Sequence, residues 1–367
     1  MAKYVIIDGV AILPEGIEMI EDEAFWGCKE LKRVVIPQGV RRIGKEAFYG
    51  CENLEVVEFP EWLEDIGKDA FQGCSSLKEL NLPQWVKRIE ERAFWGCKSL
   101  QNLSIPSSVS HIGNGAFSYC SSLIRIKVDS NNPVYDSRED CNAIIHTESN
   151  TLISGCSNTI IPPSVTSIGE EAFSGCTSLT QISLPPSVTT IGSRAFSDCT
   201  SLTHISIPPS VTLIGRYAFS ECTSLTQINL PPSVTSIGEE AFSYCTSLTQ
   251  ISLPPSVTSI GWKTFRGCTS LTQISLPPSV TSIESRAFSD CTSLTQISLS
   301  PLVTLIGRQA FSGCTSLTQI SLPPSVTSIG YETFKECTSL TLVKVSKNTE
   351  LAGNAFEDCP KVEIERY

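Results

Sequence analysis

Cysteine and histidine are the side chains of this sequence that could carry chemistry, and their spacing indicates which kind. The chain has 16 cysteines and 3 histidines in 367 residues. Cysteines form disulfides, bind metals or act as nucleophiles where a neighbour lowers their pKa. Fourteen of the 16 recur at one position of a repeated phrase. That regularity favours a stack of buried, reduced cysteines, which serve as small apolar side chains, over reactive thiols or disulfides.

The remaining residues of this kind form no active-site pattern. The sequence contains no Ser-His-Asp order, phosphate-binding loop, dinucleotide fingerprint or zinc-protease motif. His111 and His204 occupy repeat positions held elsewhere by Thr, Ser or Gln, so both are predicted on the surface. We therefore predict that the protein is not an enzyme and that it needs no metal and no cofactor.

The cysteines mark a repeat of constant length. Neighbouring cysteines lie 23 residues apart from Cys28 to Cys120 and again from Cys176 to Cys337. A period of this length is typical of a solenoid, in which each coil packs only against its neighbours. The few apolar side chains of one coil contribute about 1.5–3 kcal/mol each when buried, whereas each ordered residue costs about 1–2 kcal/mol of backbone entropy. One coil is therefore unstable alone, and stacking is required.

The apolar spacing within a coil predicts its parts. Ile182 and Leu184 alternate with polar residues, as in a strand with one exposed face. The Pro185-Pro186 pair ends that strand, since proline has no N–H for a ladder. Val188 to Ile191 is predicted as a second extended piece, followed by a short helical turn that buries Phe196. The predicted fold is a β-rich repeat solenoid, a rod or arc of about fifteen coils with a parallel strand ladder, short helical turns and one inserted hairpin.

The coils share a longer signature as well. The spacing L-x-x-I-x-L is accompanied by Ser-Ile-Gly-x-x-Ala-Phe-x-x-Cys in the regular coils, for example SLTQISLPPSVTSIGEEAFSGCT. This phrase resembles the BspA-type leucine-rich repeat family over nearly the whole chain. The resemblance implies a binding module, because the family is known for surface proteins that adhere to host matrix or to other cells. It does not identify the ligand.

The regularity of the coils divides the chain into segments of one continuous solenoid. The predicted segments are an N-terminal cap at 1–27, diverged coils rich in charge and tryptophan at 28–128, an inserted hairpin at 129–155, near-identical coils at 156–340 and a C-terminal cap at 341–367. Caps are expected because a terminal coil has no neighbour on one side.

The insertion interrupts the period between Cys120 and Cys176. Cys141 to Thr147 and Thr151 to Gly155 are predicted as two strands of a hairpin that projects from the solenoid. Two metal sites are conceivable there, but the sequence disfavours both, because neither has the ligand spacing of a known site. Their candidate ligands are Cys141, His146 and Cys156 for zinc, and Asp136, Glu139 and Asp140 for calcium.

Two sets of exposed positions are candidates for partner binding. The first, which we call the ridge, lies in the two positions before Ala-Phe and the one before Cys. Its residues are Arg194, Arg216, Tyr217, Tyr244, Trp262, Lys263, Arg286, Arg308 and Tyr331. The second, the aromatic edge, comprises Trp26, Tyr49 and Trp95 in the position after Phe. Either set could instead be unconstrained surface: drift between duplicated coils for the ridge, and covered coil corners for the edge.

Charge narrows the class of partner. The net charge of −11 disfavours nucleic acid and anionic membranes, which require a basic face. The sequence shows neither an apolar run long enough for membrane insertion nor a signal peptide, so as written it is expected in the cytoplasm, whereas the resemblance favours the cell surface or secretion. We predict a non-catalytic protein-binding module. The alternatives are a cell-surface adhesin and a structural or ice-binding rod, and the oligomeric state is left open.

Overall fold

The computed structural model describes residues 3–367, so the first two residues of the predicted N-terminal cap lie outside the described residues. Two compact units make up the chain, Met1–Leu179 and Thr180–Tyr367. Each unit is a stack of coils with a buried phenylalanine, and the predicted β-rich repeat solenoid is confirmed. The segment boundaries inferred from sequence, and their union in one continuous domain, stay a prediction.

The first unit contains two kinds of short strand. The longer strands are Val5–Ile7, Val10–Ile12, Arg33–Val35, Val56–Glu58, Asn102–Ile105 and Arg125–Val128. The two-residue strands are Met19–Ile20, Arg42–Ile43, Asp65–Ile66, Arg88–Ile89 and His111–Ile112. Strands of successive coils pair in parallel, whereas Val5–Ile7 and Val10–Ile12 form an antiparallel hairpin. This hairpin was predicted at the N terminus, and left-handed Asp8 and Gly9 make its turn.

The second unit repeats the same two kinds of strand. The longer ones are Gln181–Ser183, His204–Ser206, Gln227–Asn229, Gln250–Ser252, Gln273–Ser275, Gln296–Ser298, Gln319–Ser321, Leu342–Val345 and Glu363–Arg366. The two-residue ones are Thr190–Ile191, Leu213–Ile214, Ser236–Ile237, Ser259–Ile260, Ser282–Ile283, Leu305–Ile306, Ser328–Ile329 and Glu350–Leu351. Register follows the period, so that Ile228 lies beside Ile251 and each coil offers the same residue types to the next.

Phenylalanine and cysteine form the core of the stack. Phe219 and Phe242 stack with ring centroids 5.6 Å apart, and the same pairing continues along the unit. The Cys245 thiol donates a hydrogen bond to the carbonyl oxygen of Phe219 at 3.1 Å. Burial raises the pKa of Cys245 to about 12. All 16 cysteines are free thiols, which confirms the predicted cysteine stack.

The predicted helical turn is wrong. Arg194 and Asp198 have φ of 53° and 58°, and a left-handed residue at every fourth position prevents a right-handed helix from continuing. The backbone N–H groups of Arg194, Phe196 and Asp198 donate instead to carbonyls of the next coil, at 2.8 Å each. The N–H groups of the residues between them, Ala195 and Ser197, donate to the carbonyl oxygens three residues earlier in the chain. Each coil therefore closes with a run of tight turns that is itself a ladder, and the one helix in residues 3–367 is the short 3-10 helix Arg138–Asp140.

The inserted segment contributes to the core and does not project from it. Its strands are Tyr135–Asp136, Ala143–His146 and Thr151–Gly155, and the last pairs in parallel with Ser167–Ile168 of the next regular coil. Ala143, Ile144 and Ile145 are fully buried, because consecutive apolar residues in a strand need cover on both faces. The predicted hairpin is present, with its first strand shorter than expected.

Candidate functional site

The turn ladder of the second unit positions the ridge. Every coil brings its two variable positions before Ala-Phe, and the one before Cys, to the same place on the coil. Backbone bonds such as Tyr217 N–H to the Glu239 carbonyl, at 2.9 Å, hold those positions in register with the next coil. Side chains of successive coils consequently lie side by side.

Left-handed backbone coincides with the ridge. Arg194, Tyr217, Lys263 and Arg286 all have φ between 52° and 57°. Tyr244, in the position before Cys, has φ of 57°. Residues with a Cβ lose about 1–2 kcal/mol in this conformation, which glycine adopts freely. Five of the nine ridge residues therefore carry large side chains at backbone positions that suit glycine, whereas Arg216, Trp262, Arg308 and Tyr331 lie one position before such a residue.

Cations lie against aromatic rings along the ridge. The Arg194 guanidinium is 4.5 Å from the centroid of the Tyr217 ring, and Lys263 Nζ is 3.8 Å from that of Trp262. Arg308 covers Tyr331 in the same way at 5.5 Å. Contacts of this kind contribute about 0.5–1 kcal/mol at exposed sites. They hold the rings in place while Tyr331 stays 57% exposed.

Acidic residues of adjacent coils pair with the ridge cations. Arg216 reaches Glu239 at 2.8 Å, and Lys263 reaches Glu240 at 3.6 Å. The Tyr217 phenol also bonds to Glu240, which raises the pKa of Tyr217. Because neighbouring charges are matched in this way, the ridge presents oriented aromatic and polar groups rather than a strong field of one sign.

The Tyr244 ring packs into space left by the absence of a side chain at Gly267. A Cβ on Gly267, the equivalent position of the next coil, would lie 2.5 Å from the Tyr244 ring. The Arg266 guanidinium is 5.3 Å from the same ring and 3.3 Å from Asp290. Sequence reasoning missed Arg266, although it replaces the serine found after Phe in most coils of this unit and could have been found by that substitution.

One pair of acidic residues on the turn ladder departs from this pairing of opposite charges. Asp198 and Glu221 occupy the same position in adjacent coils, and their carboxyl groups are hydrogen-bonded. Burial, followed by the nearby Asp198 carboxylate, raises the pKa of Glu221. A proton shared by this pair relieves repulsion between the two coils.

The aromatic edge is only partly brought together. Trp26 and Tyr49 stack at 5.8 Å, but Trp95 packs on Tyr119 at 4.5 Å. Gln72 occupies the equivalent position of the intervening coil, so the three aromatic residues do not form one continuous row.

The disfavoured metal sites have no supporting geometry. In residues 3–367, no three His, Cys, Asp or Glu side chains are grouped as metal ligands. Asp136 is bound instead by Arg138 at 2.7 Å and by the Thr147 hydroxyl at 2.9 Å. His146 bonds to Ser149, and Cys156 is buried.

Comparison with known proteins identifies the family. The model of the BspA type leucine rich repeat region matches residues 11–138, 153–254 and 235–363, in six copies. The chain belongs to the BspA-type leucine-rich repeat family. Proteins of this family and fold are generally non-enzymatic and bind other proteins. No curated protein matches the sequence significantly.

Solved structures of bacterial leucine-rich repeat proteins share the fold. A leucine-rich repeat protein from Bacteroides ovatus is 30% identical, with a TM-score of 0.59 over 95% of this chain and 87% of that one. A protein from Eubacterium ventriosum is 24% identical, with a TM-score of 0.66 over 96% and 82% of the two chains. The pneumococcal vaccine antigen PcpA is 20% identical, with a TM-score of 0.53 over 92% and 80%.

Within residues 3–367, no helix has the length and apolarity that crossing a membrane requires.

Proposed function

We propose that this protein is a non-catalytic recognition module and that the ridge of its second unit binds a partner protein. The observation that carries the proposal is the placement of Arg194, Tyr217, Lys263 and Tyr244 in left-handed backbone. At the position before Cys, drift would favour glycine, as at Gly267 and Gly313, whereas Tyr244 keeps a large ring there. Retention of long and aromatic side chains at a cost in stability supports a role in contact.

The lateral contacts support the same proposal. Tyrosine, tryptophan and arginine are the residues most often found to dominate binding energy at protein interfaces. Here the rings of Tyr217 and Tyr331 are covered on one side by arginines and keep exposed surface. A partner would meet side chains that are already ordered, so less conformational entropy would be lost on binding.

A triple substitution tests the proposal. Tyr217→Ala, Trp262→Ala and Tyr331→Ala together should abolish capture of a partner by the immobilised protein, with only a small loss of thermal stability. The matched control is Gln250→Ala, Gln273→Ala and Gln296→Ala, three exposed residues on the long-strand face of the same unit. Capture that survives the aromatic triple and is lost in the glutamine triple would place recognition on the long-strand face instead.

A cell-surface adhesin is the second candidate, and the family supports it. Parallel capture from a cell lysate and from a panel of purified matrix proteins separates the two roles. A specific lysate partner favours an intracellular scaffold, whereas saturable binding to a matrix protein alone favours the adhesin.

An ice-binding rod has less support. Threonine hydroxyls on the long-strand face, such as Thr203 and Thr249, donate to a carbonyl of the preceding coil at 3.2 and 3.1 Å. These hydroxyls are thus engaged within the protein, and we expect no thermal hysteresis from the purified chain.

A further inference from the structure

Asn114 and Gly115 form the one Asn-Gly pair of the chain, in the last coil before the insertion. A backbone nitrogen that follows asparagine can attack the side-chain amide carbon, and this reaction is easiest when glycine supplies the nitrogen, because glycine offers no steric hindrance. The reaction requires that the glycine N–H be free and the asparagine exposed. Asn114 and Gly115 meet both conditions.

The Gly115 N–H lacks the bond that its counterparts make. At the equivalent position, the N–H groups of Glu46, Asp69 and Arg92 donate to the next coil at 2.9, 3.0 and 3.1 Å. The next turn of the ladder here belongs to the coil that follows the insertion, and the Glu171 side chain of that coil lies against Gly115. No group in the described chain accepts from Gly115 N–H, so its nitrogen is available.

The Glu171 side chain occupies the space that a Cβ at this position would take. Every other coil has a side chain there, but a Cβ on Gly115 would lie 2.4 Å from Glu171 Oε2. The backbone is also left-handed, with φ of 64°. With glycine at this position, the Glu171 side chain lies directly beside the reactive pair.

Asn114 is exposed and its amide is held by one contact. Asn114 Nδ2 donates to Glu170 Oε2 at 2.8 Å, which links the coils on either side of the insertion. The Asn114 carbonyl accepts from Arg92. The side-chain carbon that would be attacked is accordingly open to solvent.

We propose that Asn114 is a site of spontaneous deamidation that weakens the joint between the coils flanking the insertion. The Gly115 nitrogen loses its proton to solvent and attacks Cγ of Asn114. A C–N bond forms, the Cγ–Nδ2 bond breaks and ammonia leaves, which gives a cyclic imide. Water then opens the imide at one carbonyl or the other and leaves aspartate or isoaspartate, with no change in oxidation state.

Either product replaces an attractive contact with a repulsive one. The new carboxylate would face Glu170, whose oxygen now accepts the Asn114 amide hydrogen. Glu171 is close by and has Arg92 as its nearest cation, at 3.8 Å. Isoaspartate would also add a methylene group to the backbone, which shifts the register of the turn ladder.

Peptide mapping of the intact purified protein, aged at mildly alkaline pH, tests the chemistry. Isoaspartate and the mass gain of amide-to-acid conversion should appear at Asn114, faster than at Asn142, which precedes alanine. Asn114→Ser, which places there the residue found at Ser193 and Ser285, should abolish the signal. Equal conversion at Asn142, or none at Asn114, would overturn the proposal.

Thermal melting tests the structural consequence. Asn114→Asp should melt below the wild type at neutral pH and approach it in acid, where the carboxyl groups are protonated, while Asn114→Ser should show no such pH dependence. An Asn114→Asp protein that melts with the wild type at neutral pH would overturn the weakening of the joint, whatever the mapping shows.

Discussion

At the scale of single residues, the left-handed positions explain which side chains the coils can vary. Twelve coils carry a non-glycine residue with positive φ directly before Ala-Phe or Thr-Phe. Their side chains point along the turn ladder to equivalents in the next coil, as Tyr217 and Glu240 show. These side chains are mostly half-buried or buried, Glu240 for example at 8% exposure, so variation there carries an energetic cost.

Gly267 provides the sharpest test of this packing. Gly267→Ala should destabilise the protein by about 1–2 kcal/mol from left-handed strain, with about 1–3 kcal/mol more from overpacking against Tyr244. Gly27→Ala is the matched control, since Gly27 has φ of 67° and nothing within 4 Å of its added Cβ. Urea unfolding measures both. Equal losses would show that the Tyr244 contact contributes nothing.

The Asp198 and Glu221 pair predicts a pH dependence. Because the folded pKa of Glu221 is raised, the folded state binds that proton more tightly than the unfolded state. The corresponding stability is complete below the unfolded pKa and is lost as pH rises through the folded one. Glu221→Gln should therefore raise the melting temperature at neutral pH and not in acid. The exposed Glu350→Gln is the control, and an equal effect from it would contradict the prediction.

At the scale of elements, the insertion is joined to the regular coils by side-chain bonds as well as by strands. The Ile112 N–H, buried at the end of a regular coil, donates to the Tyr135 hydroxyl at 3.0 Å. Asn132 donates to the carbonyls of Pro106 and Val109 at 2.9 Å each. The insertion thus satisfies backbone groups that a regular next coil would have satisfied.

Tyr135→Phe tests the hydrogen bond by which the insertion satisfies the Ile112 N–H. It should cost about 1–3 kcal/mol, because the buried Ile112 N–H would lose its acceptor. Tyr331→Phe is the control, since that residue is exposed. Chemical denaturation followed by the fluorescence of the first unit's tryptophans is a suitable measurement. A loss no larger than that of Tyr331→Phe would indicate that water reaches Ile112.

At the scale of the whole molecule, stability comes from contacts between neighbouring coils. Each regular coil contributes the same phenylalanine, cysteine and strand to its neighbour, as the pairs Phe242–Phe265 and Phe265–Phe288 illustrate. In such an array the free energy of unfolding is close to a sum of contributions from each coil and each interface between neighbours. Removal of one coil leaves two coil surfaces that match each other.

Deletion of one period tests this additivity. Removing residues 250–272, which is 23 residues, should leave a folded protein with a lower melting temperature, because Gln273 takes the register of Gln250. Removing residues 250–260, which is less than one period, should abolish cooperative unfolding. The strand of one coil would then lie beside a turn of the next coil instead of beside its equivalent strand. Failure of the full-period deletion to fold would contradict a nearest-neighbour solenoid.

The sequence alone determined the repeat, the strand with its alternating apolar residues, the buried phenylalanines and the cysteine stack. These features depend on periodicity, and a period of 23 residues brings like residues together whatever the details of the coil. The family and the candidate ridge positions followed from the same regularity.

Only the tertiary structure decided how each coil closes and what the irregular residues contact. No local pattern predicts a left-handed arginine or tyrosine, because neighbouring coils supply the bonds that hold it there. The same reason applies to the insertion: Ile144 and Ile145 are equally compatible with a projecting hairpin until the coils that cover them are in place. Cation and ring pairs such as Arg266 with Tyr244 depend on that three-dimensional register, which is set between coils and not within one.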